Sequence, residues 1–365
     1  MRGNVLSPQP LANSTVELVI VSSGRMRLPA SRSAGPDVRK VSFGIVHPSR
    51  WRAGRHALSL ASFNQSASCR HPHHGPVKAF RYVVTLHTML ERSTPAIESQ
   101  LLDTRRAFDS VAVDYDGPRG NNVLIQRMRR AMWNAVRDEL PPGSRLLDLG
   151  CGTGIDAAEF ARCGYRVTAT DWSPRMVERT RELASLAATH ARIDARHVGI
   201  HQLDRIEGEF DGIYSNLGPL NCVPDLEAAA AECARLLRPG GKLVCSVIGR
   251  ICPWEIGHYV LRGRFRRAWV RAARGATPVG MNRHTIWTRY YLPREFYRAF
   301  AEHFSLCGYR ALGLFMPPPY LLDYYHRHQR WCAWLGRLDD RLGGLPLLRE
   351  MGDHFLIVMS ARSRA

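Results

Sequence analysis

Residues 146–154 read Leu-Leu-Asp-Leu-Gly-Cys-Gly-Thr-Gly, an apolar run that ends in three glycines at alternate positions. Glycine lets a chain turn with positive φ and lets a ligand approach the backbone where a Cβ would block it. The sequence after Gly154 reads as a helix, and the first N–H groups of a helix lack partners of their own and face outward. Asp171 stands 23 residues after Asp148 at the end of the next apolar run. A carboxylate there can accept both hydroxyls of a ribose. A dinucleotide fingerprint would need its third glycine at position 155, where this chain has Ile155.

These groups need elements to hold them. Asn121 to Leu140 predicts an amphipathic helix, stopped by Pro141-Pro142-Gly143. A strand over Arg145 to Leu149, a helix to about Cys163 and a strand over Tyr165 to Thr170 follow. The next helix opens with Ser173 as N-cap and Pro174 in its first turn. This strand–helix alternation predicts a parallel sheet covered on both faces. A glycine turn at the carboxyl end of such a strand is where open α/β sheets take ligands.

Asp148 to Gly154, with Asp171 beyond, resembles the cofactor motif of class I S-adenosylmethionine-dependent methyltransferases of the small-molecule type. The likeness covers roughly residues 105–250 well and the rest loosely. Phe108 to Asp116 resembles a helical lead-in that closes over the cofactor, Phe210 to Asn216 the fourth strand, and Leu236 to Val244 the turn into strand five. The resemblance implies an α/β, doubly wound, mostly parallel, seven-stranded Rossmann-like sheet with a reversed final hairpin and helical substrate-cap insertions. It implies S-adenosyl-L-methionine as methyl donor and no metal. Gly150, Cys151, Gly152 and Gly154 would line the methionine moiety, Asp148 its ammonium end, Asp171 the ribose, and Tyr115 would act as a lid. Trp172 would pack on adenine or be ordinary packing. The family's acidic residue after strand three is replaced by His201-Gln202-Leu203-Asp204, so Gln202, or Asp204 in a shifted register, would meet the adenine amino group. Asn216 stands where amino-group methyltransferases place a polar residue near the acceptor, but Ser215-Asn216-Leu217-Gly218-Pro219 is not their usual motif, and a turn-forming role is the alternative.

Methyl transfer from a sulfonium needs alignment, water exclusion and sometimes proton removal. The catalytic group is therefore not read from the glycine motif. The acceptor is expected under two insertions, at about 250–290 and 316–349, rich in aromatic residues that suit an apolar or planar molecule. Glu255, His258, His326 and His354 are the candidate bases. Trp331 and Trp334, three apart, are expected to be core residues of one helix face. Interleaved arginines and aromatics over 261–290 could instead meet phosphates of RNA or a lipid headgroup. Three functions follow: methylation of a small apolar, aromatic or lipid-like metabolite; methylation of RNA, which is less favoured because no RNA-binding module is recognisable; and cofactor binding without catalysis.

Composition sets the outer bounds. The chain has 365 residues and a net charge of +19, and 48 of its 51 basic residues are arginine. That bias points to a GC-rich coding sequence more than to a built basic surface. Residues 1–88 hold 12 basic residues against 2 acidic ones, a Ser-, His- and Pro-rich segment without periodicity. A start at Met89, a disordered basic tail and a transit peptide are its three readings, with residues 1–95 expected to stand apart from a methyltransferase domain at 96–365. The His71-to-His74 cluster lacks partner ligands at useful spacing. Nine cysteines without a C-x-x-C pair predict reduced, mostly buried thiols. No stretch approaches the roughly 18 apolar residues that span a bilayer, so a soluble, cytoplasmic protein is expected.

Overall fold

The computed structural model describes residues 89–187 and 189–362, with side chains from residue 96, and the two short strands Leu18–Ile20 and Phe80–Tyr82. The expectations for the early segment, including the His71–His74 cluster, lie outside the described residues. Two compact units divide the chain at Thr94. In the first, the two short strands pair antiparallel. The second, Pro95–Ala365, is built on one seven-stranded sheet.

In chain order its strands are β1 (Arg145–Leu149), β2 (Arg166–Asp171), β3 (Ile193–His197), β4 (Phe210–Ser215), β5 (Leu237–Ile248), β6 (Phe304–Leu312) and β7 (His354–Ala361). They lie in the order β6-β7-β5-β4-β1-β2-β3. β1 to β5 pair parallel, and β7 runs antiparallel between β5 and β6. The doubly wound sheet with a reversed last hairpin is thus present. β1 is buried from Leu146 to Leu149, as a central strand covered on both faces must be.

The described α-helices of eight residues or more are α1 (Met89–Val111), α2 (Val123–Glu139), α3 (Ile155–Arg162), α4 (Pro174–Leu186), α5 (Leu226–Leu236), α6 (Pro253–Val260), α7 (Pro293–Phe300) and α8 (Gln329–Leu342). Met132 and Val136 of α2, with Ala157 and Phe160 of α3, pack on Leu146, Val167 and Tyr214. On the opposite face α5 and α7 cover Leu147, Ile213, Leu243 and Ile357. The Asn122 side chain caps α2 by accepting from the Leu124 and Ile125 amides. Ser173 caps α4 through Met176 N–H, with Pro174 in its first turn.

The insertions depart from an all-helical cap. The first holds α6, a short helix Phe265–Ala268, and an antiparallel hairpin of Thr277–Met281 with His284–Thr288. Its turn, Asn282-Arg283, has φ of 44° and 65°, the double positive φ of a two-residue hairpin loop that asparagine tolerates. Arg283 carries no such signal, which hid the turn. In the second insertion Trp331 and Trp334 do share a face, with stacked rings 4.8 Å apart. That face is half-exposed, so they are not the core residues expected. Their neighbours Cys332 and Leu335 carry the packing against Leu124 and Met316.

One buried cation joins the first insertion to the sheet. Arg271 donates to Glu255 of α6 at 2.7 Å and to Asp353, just before β7, at 2.7 Å, and also to the Gly249 and Asp353 carbonyls. His354 Nδ1 lies 2.9 Å from the second Asp353 oxygen. Burial alone pushes the Asp353 carboxyl up, but Arg271 and then His354 hold it well below the usual carboxylate range. Removing one partner of a buried pair strands the others. Arg271→Ala is therefore expected to lower unfolding free energy by about 3–5 kcal/mol, measured by urea denaturation. Because depressed carboxylate pKa values stabilise at higher pH, the wild-type advantage should shrink as pH falls through the acid range.

Candidate functional site

The glycine loop sits at the carboxyl ends of β1 and β2. Gly150, Gly152 and Gly154 have φ of 79°, 55° and 86°, so each takes a backbone that other residues adopt at a cost. They do different work. A Cβ on Gly150 would lie 2.4 Å from Pro219 Cβ, and one on Gly154 would lie 2.7 Å from Thr180 Cγ2. Both are sites of close protein packing. A Cβ on Gly152 would meet only Tyr115 Cε1, at 4.0 Å. The open cradle is therefore at Gly152, and Tyr115 is the side chain nearest to it.

Asp171 organises this loop. Its Oδ2 accepts the Gly152 N–H at 2.9 Å and its Oδ1 the Ser173 N–H at 2.8 Å. Burial raises its pKa to about 6, against the lowering effect of those N–H donors. Each oxygen retains acceptor capacity beyond one N–H bond. Asp148 is buried, and its Oδ2 has no hydrogen-bond partner. Burial, then the charge of Asp156, pushes its pKa well up against the lowering effect of the Tyr214 hydroxyl, which is itself buried without a hydrogen bond of good geometry. An orphaned buried carboxylate oxygen is costly unless a ligand completes it.

Behind the loop is a group the motif reading missed. Asp156, in the first turn of α3, accepts from Arg129 at 2.5 Å, from Trp133 Nε1 at 2.7 Å and from Asn216 Nδ2 at 3.1 Å. An acid in a helix's first turn is favourable in any case. No local signal links it to α2 or to the end of β4. Asn216 is thus tied to Asp156, its Oδ1 buried without a partner. The turn itself is made by Leu217 and Gly218, both of positive φ.

The lead-in closes over the loop through two hydrogen bonds. Asp109 accepts from Ser173 Oγ at 2.5 Å, and Asp116 from Thr153 Oγ1 at 2.8 Å. Between them Tyr115 packs edge-on against Phe108. Burial raises the Tyr115 pKa against the pull of Arg129, with Asp171 adding to the rise. The cap hairpin rests on the same helix: Trp287 donates to Thr104 Oγ1 and to Asp103, and Asn282 to Ser110.

Other sequence-based candidates fall differently. Trp172 donates to the Leu101 carbonyl, stacks on His197, meets His201 edge-on and has Arg105 5.3 Å from its ring centroid. Protein groups on three sides thus fix its orientation. The Gln202 side chain turns back to accept the Gly199 N–H, and Asp204 is exposed. Glu255 is occupied by Arg271 and accepts from Tyr320, which leaves it a poor free base. His354 is engaged by Asp353, and His326 is exposed. His258 Nδ1 faces Arg262 at 3.0 Å, and burial and then Arg262 lower its pKa. Cys252, Glu255 and Asp353 offer ligand atoms within 4.8 Å of one another, but the Arg271 guanidinium pairs with both carboxylates.

The residues present fit a sulfonium nucleoside carrying an amino acid. There is an unpartnered buried carboxyl oxygen at Asp148, an open backbone cradle at Gly152 and a carboxylate with spare acceptors at Asp171.

The chain is similar to several known proteins. A family model described as a methyltransferase domain matches residues 146–241. A ubiquinone biosynthesis O-methyltransferase of Xanthomonas axonopodis pv. citri is 36% identical over 138 residues, 38% of this chain and 56% of the relative. The chain thus spans little more than half the length of the first curated relatives it matches. The protein of that name from Methylocella silvestris is 30% identical over 229 residues, 58% of this chain and 84% of the relative. The N-methyltransferase NodS from Bradyrhizobium japonicum, solved with S-adenosyl-L-homocysteine, superposes with a TM-score of 0.46 at 12% identity, covering 72% of this chain and 100% of that one. With motif, sheet order and relatives in agreement, the chain belongs to the class I S-adenosylmethionine-dependent methyltransferases.

Proposed function

We propose that this protein transfers a methyl group from S-adenosyl-L-methionine to a hydroxyl of a small, apolar, aromatic or quinone-related metabolite. The observation that carries the reading is the pairing of an orphaned buried carboxylate oxygen on Asp148 with the open Gly152 cradle and the Asp171 carboxylate. When bound, the donor supplies an electrophilic methyl on a sulfonium.

The chain's own groups do the rest. Asp148 receives the ammonium, whose positive charge favours the ionised carboxylate. Asp171 accepts the ribose hydroxyls while still holding the Gly152 and Ser173 amides. Tyr115, from the lead-in, covers the cradle and excludes water. The acceptor side runs from Tyr115 and Cys222 towards the first insertion. Tyr290 is buried there, with Arg271 5.4 Å from its ring centroid. Burial raises the Cys222 thiol to about 12 and also raises the Tyr290 hydroxyl. Both stay protonated and neutral, which suits an apolar acceptor. The oxygen acceptor is supported by the O-methyltransferase relatives and by the lack of the usual amino-group motif at Asn216.

Calorimetry of S-adenosylhomocysteine with the full chain tests the donor site. Micromolar-range binding, about −8 kcal/mol, is expected for wild type, and loss is expected in Gly152→Trp and Asp171→Ala. No binding by folded wild-type protein would refute the reading. S-adenosylhomocysteine formation with a panel of apolar phenols and catechols then tests the acceptor; turnover only on amines would overturn the hydroxyl assignment.

The raised carboxylates also fix a pH dependence. Binding selects ionised Asp171, so affinity should be flat well above pH 6 and fall about tenfold per unit below it. Asp148, protonated more readily than usual, should release a proton on binding. Titrations in buffers of different ionisation enthalpy should show that release in wild type and a smaller one in Asp148→Asn.

A further inference from the structure

The first insertion presents apolar side chains to solvent although its backbone is firmly held. Leu261 is 87% exposed, and Phe265 and Trp269 are each 60% exposed. Val260 and Val270 are exposed to a lesser degree beside them. Phe265 and Trp269 stand one helical turn apart, the Trp269 N–H donating to the Phe265 carbonyl. The inner side of the same segment is fixed by buried Ala268 and by Arg271 in its pairs with Glu255 and Asp353. The exposure is therefore a fixed orientation and not a loosely packed loop. A contiguous exposed patch of large apolar residues marks a surface that something covers.

The charge around it says what. Arg262, Arg264, Arg266, Arg267 and Arg274 flank these side chains, and no acidic residue occurs from Ile256 to Arg294. Among the described residues none of these five arginines is in an ion pair. Arginines that no carboxylate neutralises, Arg262 among them with its hydrogen bonds to His258, interleaved with leucine, valine, phenylalanine and tryptophan match an anionic bilayer surface. The guanidinium groups meet phosphates while the stems and apolar rings enter the headgroup boundary. Tryptophan favours that depth. Single-stranded RNA would use the two rings and the arginines but gives Leu261, Val260 and Val270 nothing to pack on.

We propose that the segment 260–274 is a membrane-docking surface for anionic phospholipid, so that the cap faces the bilayer in which apolar acceptors dissolve. The docking stands whatever the acceptor is.

Sedimentation of the full chain with phosphatidylglycerol–phosphatidylcholine vesicles tests it, against phosphatidylcholine alone. Binding to the anionic vesicles should be at least tenfold tighter. Arg264→Gln/Arg266→Gln/Arg267→Gln should weaken it about a hundredfold, at roughly fivefold per arginine. Phe265→Ser/Trp269→Ser should weaken it about tenfold. S-adenosylhomocysteine binding should be unchanged in both variants, which separates lost docking from lost folding and from failure of the donor site. A second readout needs no variant: anionic vesicles should protect wild-type protein from tryptic cleavage after Arg264, Arg266 and Arg267. Equal sedimentation of wild type and variants, or unchanged cleavage, would overturn the proposal. Tighter binding to an RNA oligonucleotide than to vesicles, or a dimer abolished by Phe265→Ser/Trp269→Ser, would also overturn it in favour of those partners.

Discussion

A single carboxylate clamps the two strand ends on which the site depends. Asp171 accepts the Gly152 N–H with one oxygen and the Ser173 N–H with the other. The end of β2 is thereby tied to the turn after β1 and to the start of α4. The glycine loop cannot collapse into the sheet, because Gly150 is wedged against Pro219 and Gly154 against Thr180. What remains open is the one position between them. Burial raises the cost of keeping Asp171 charged, and the two amides offset part of it. The remainder is stabilisation that a bound diol can supply.

Around this clamp the protein builds in shells that share few elements. Asp156 gathers Arg129, Trp133 and Asn216 behind the loop, fixing α2 and the end of β4 relative to α3. In front, Asp109 and Asp116 pull the lead-in down onto Ser173 and Thr153. Farther out, Arg271 binds the first insertion to the sheet, and the Trp254 indole N–H donates to the Phe315 carbonyl to bind α6 to the segment that leads into the second. Ions and hydrogen bonds carry each junction, while the apolar clusters hold the layers. No described helix is long and apolar enough to cross a membrane.

The sheet was legible from residues 121 to 248 because local signals agreed there. Asn122 and Ser173 cap helices, Pro141-Pro142-Gly143 ends one, and an apolar run at β1 leads into glycines that need positive φ. The spacing of Asp148 and Asp171 located the cradle for the same reason. What escaped was non-local or two-sided. Arg129 and Asp156 are 27 residues apart, and Arg271 and Asp353 are 82 apart; no periodicity encodes such pairs. Trp172 occupies the position expected of an adenine platform, yet its partners, Leu101, Arg105, His197 and His201, come from three other segments. Trp331 and Trp334 obeyed helical spacing, but spacing names a face without saying what lies against it.

β7 is the antiparallel strand, so its first residues lie at the edge of the sheet where β1 and β2 end. Asp353 is there for that reason alone, and it is the anchor on which Arg271 closes the cap. The cap's own sequence is made some 80 residues earlier in the chain. During synthesis the donor cradle can assemble from β1 to β4 well before the acceptor side has anything to lock onto. The order of translation thus separates the two halves of the molecule in time: the Gly152 cradle can form first, and the cap can be secured only once the last strand joins the sheet.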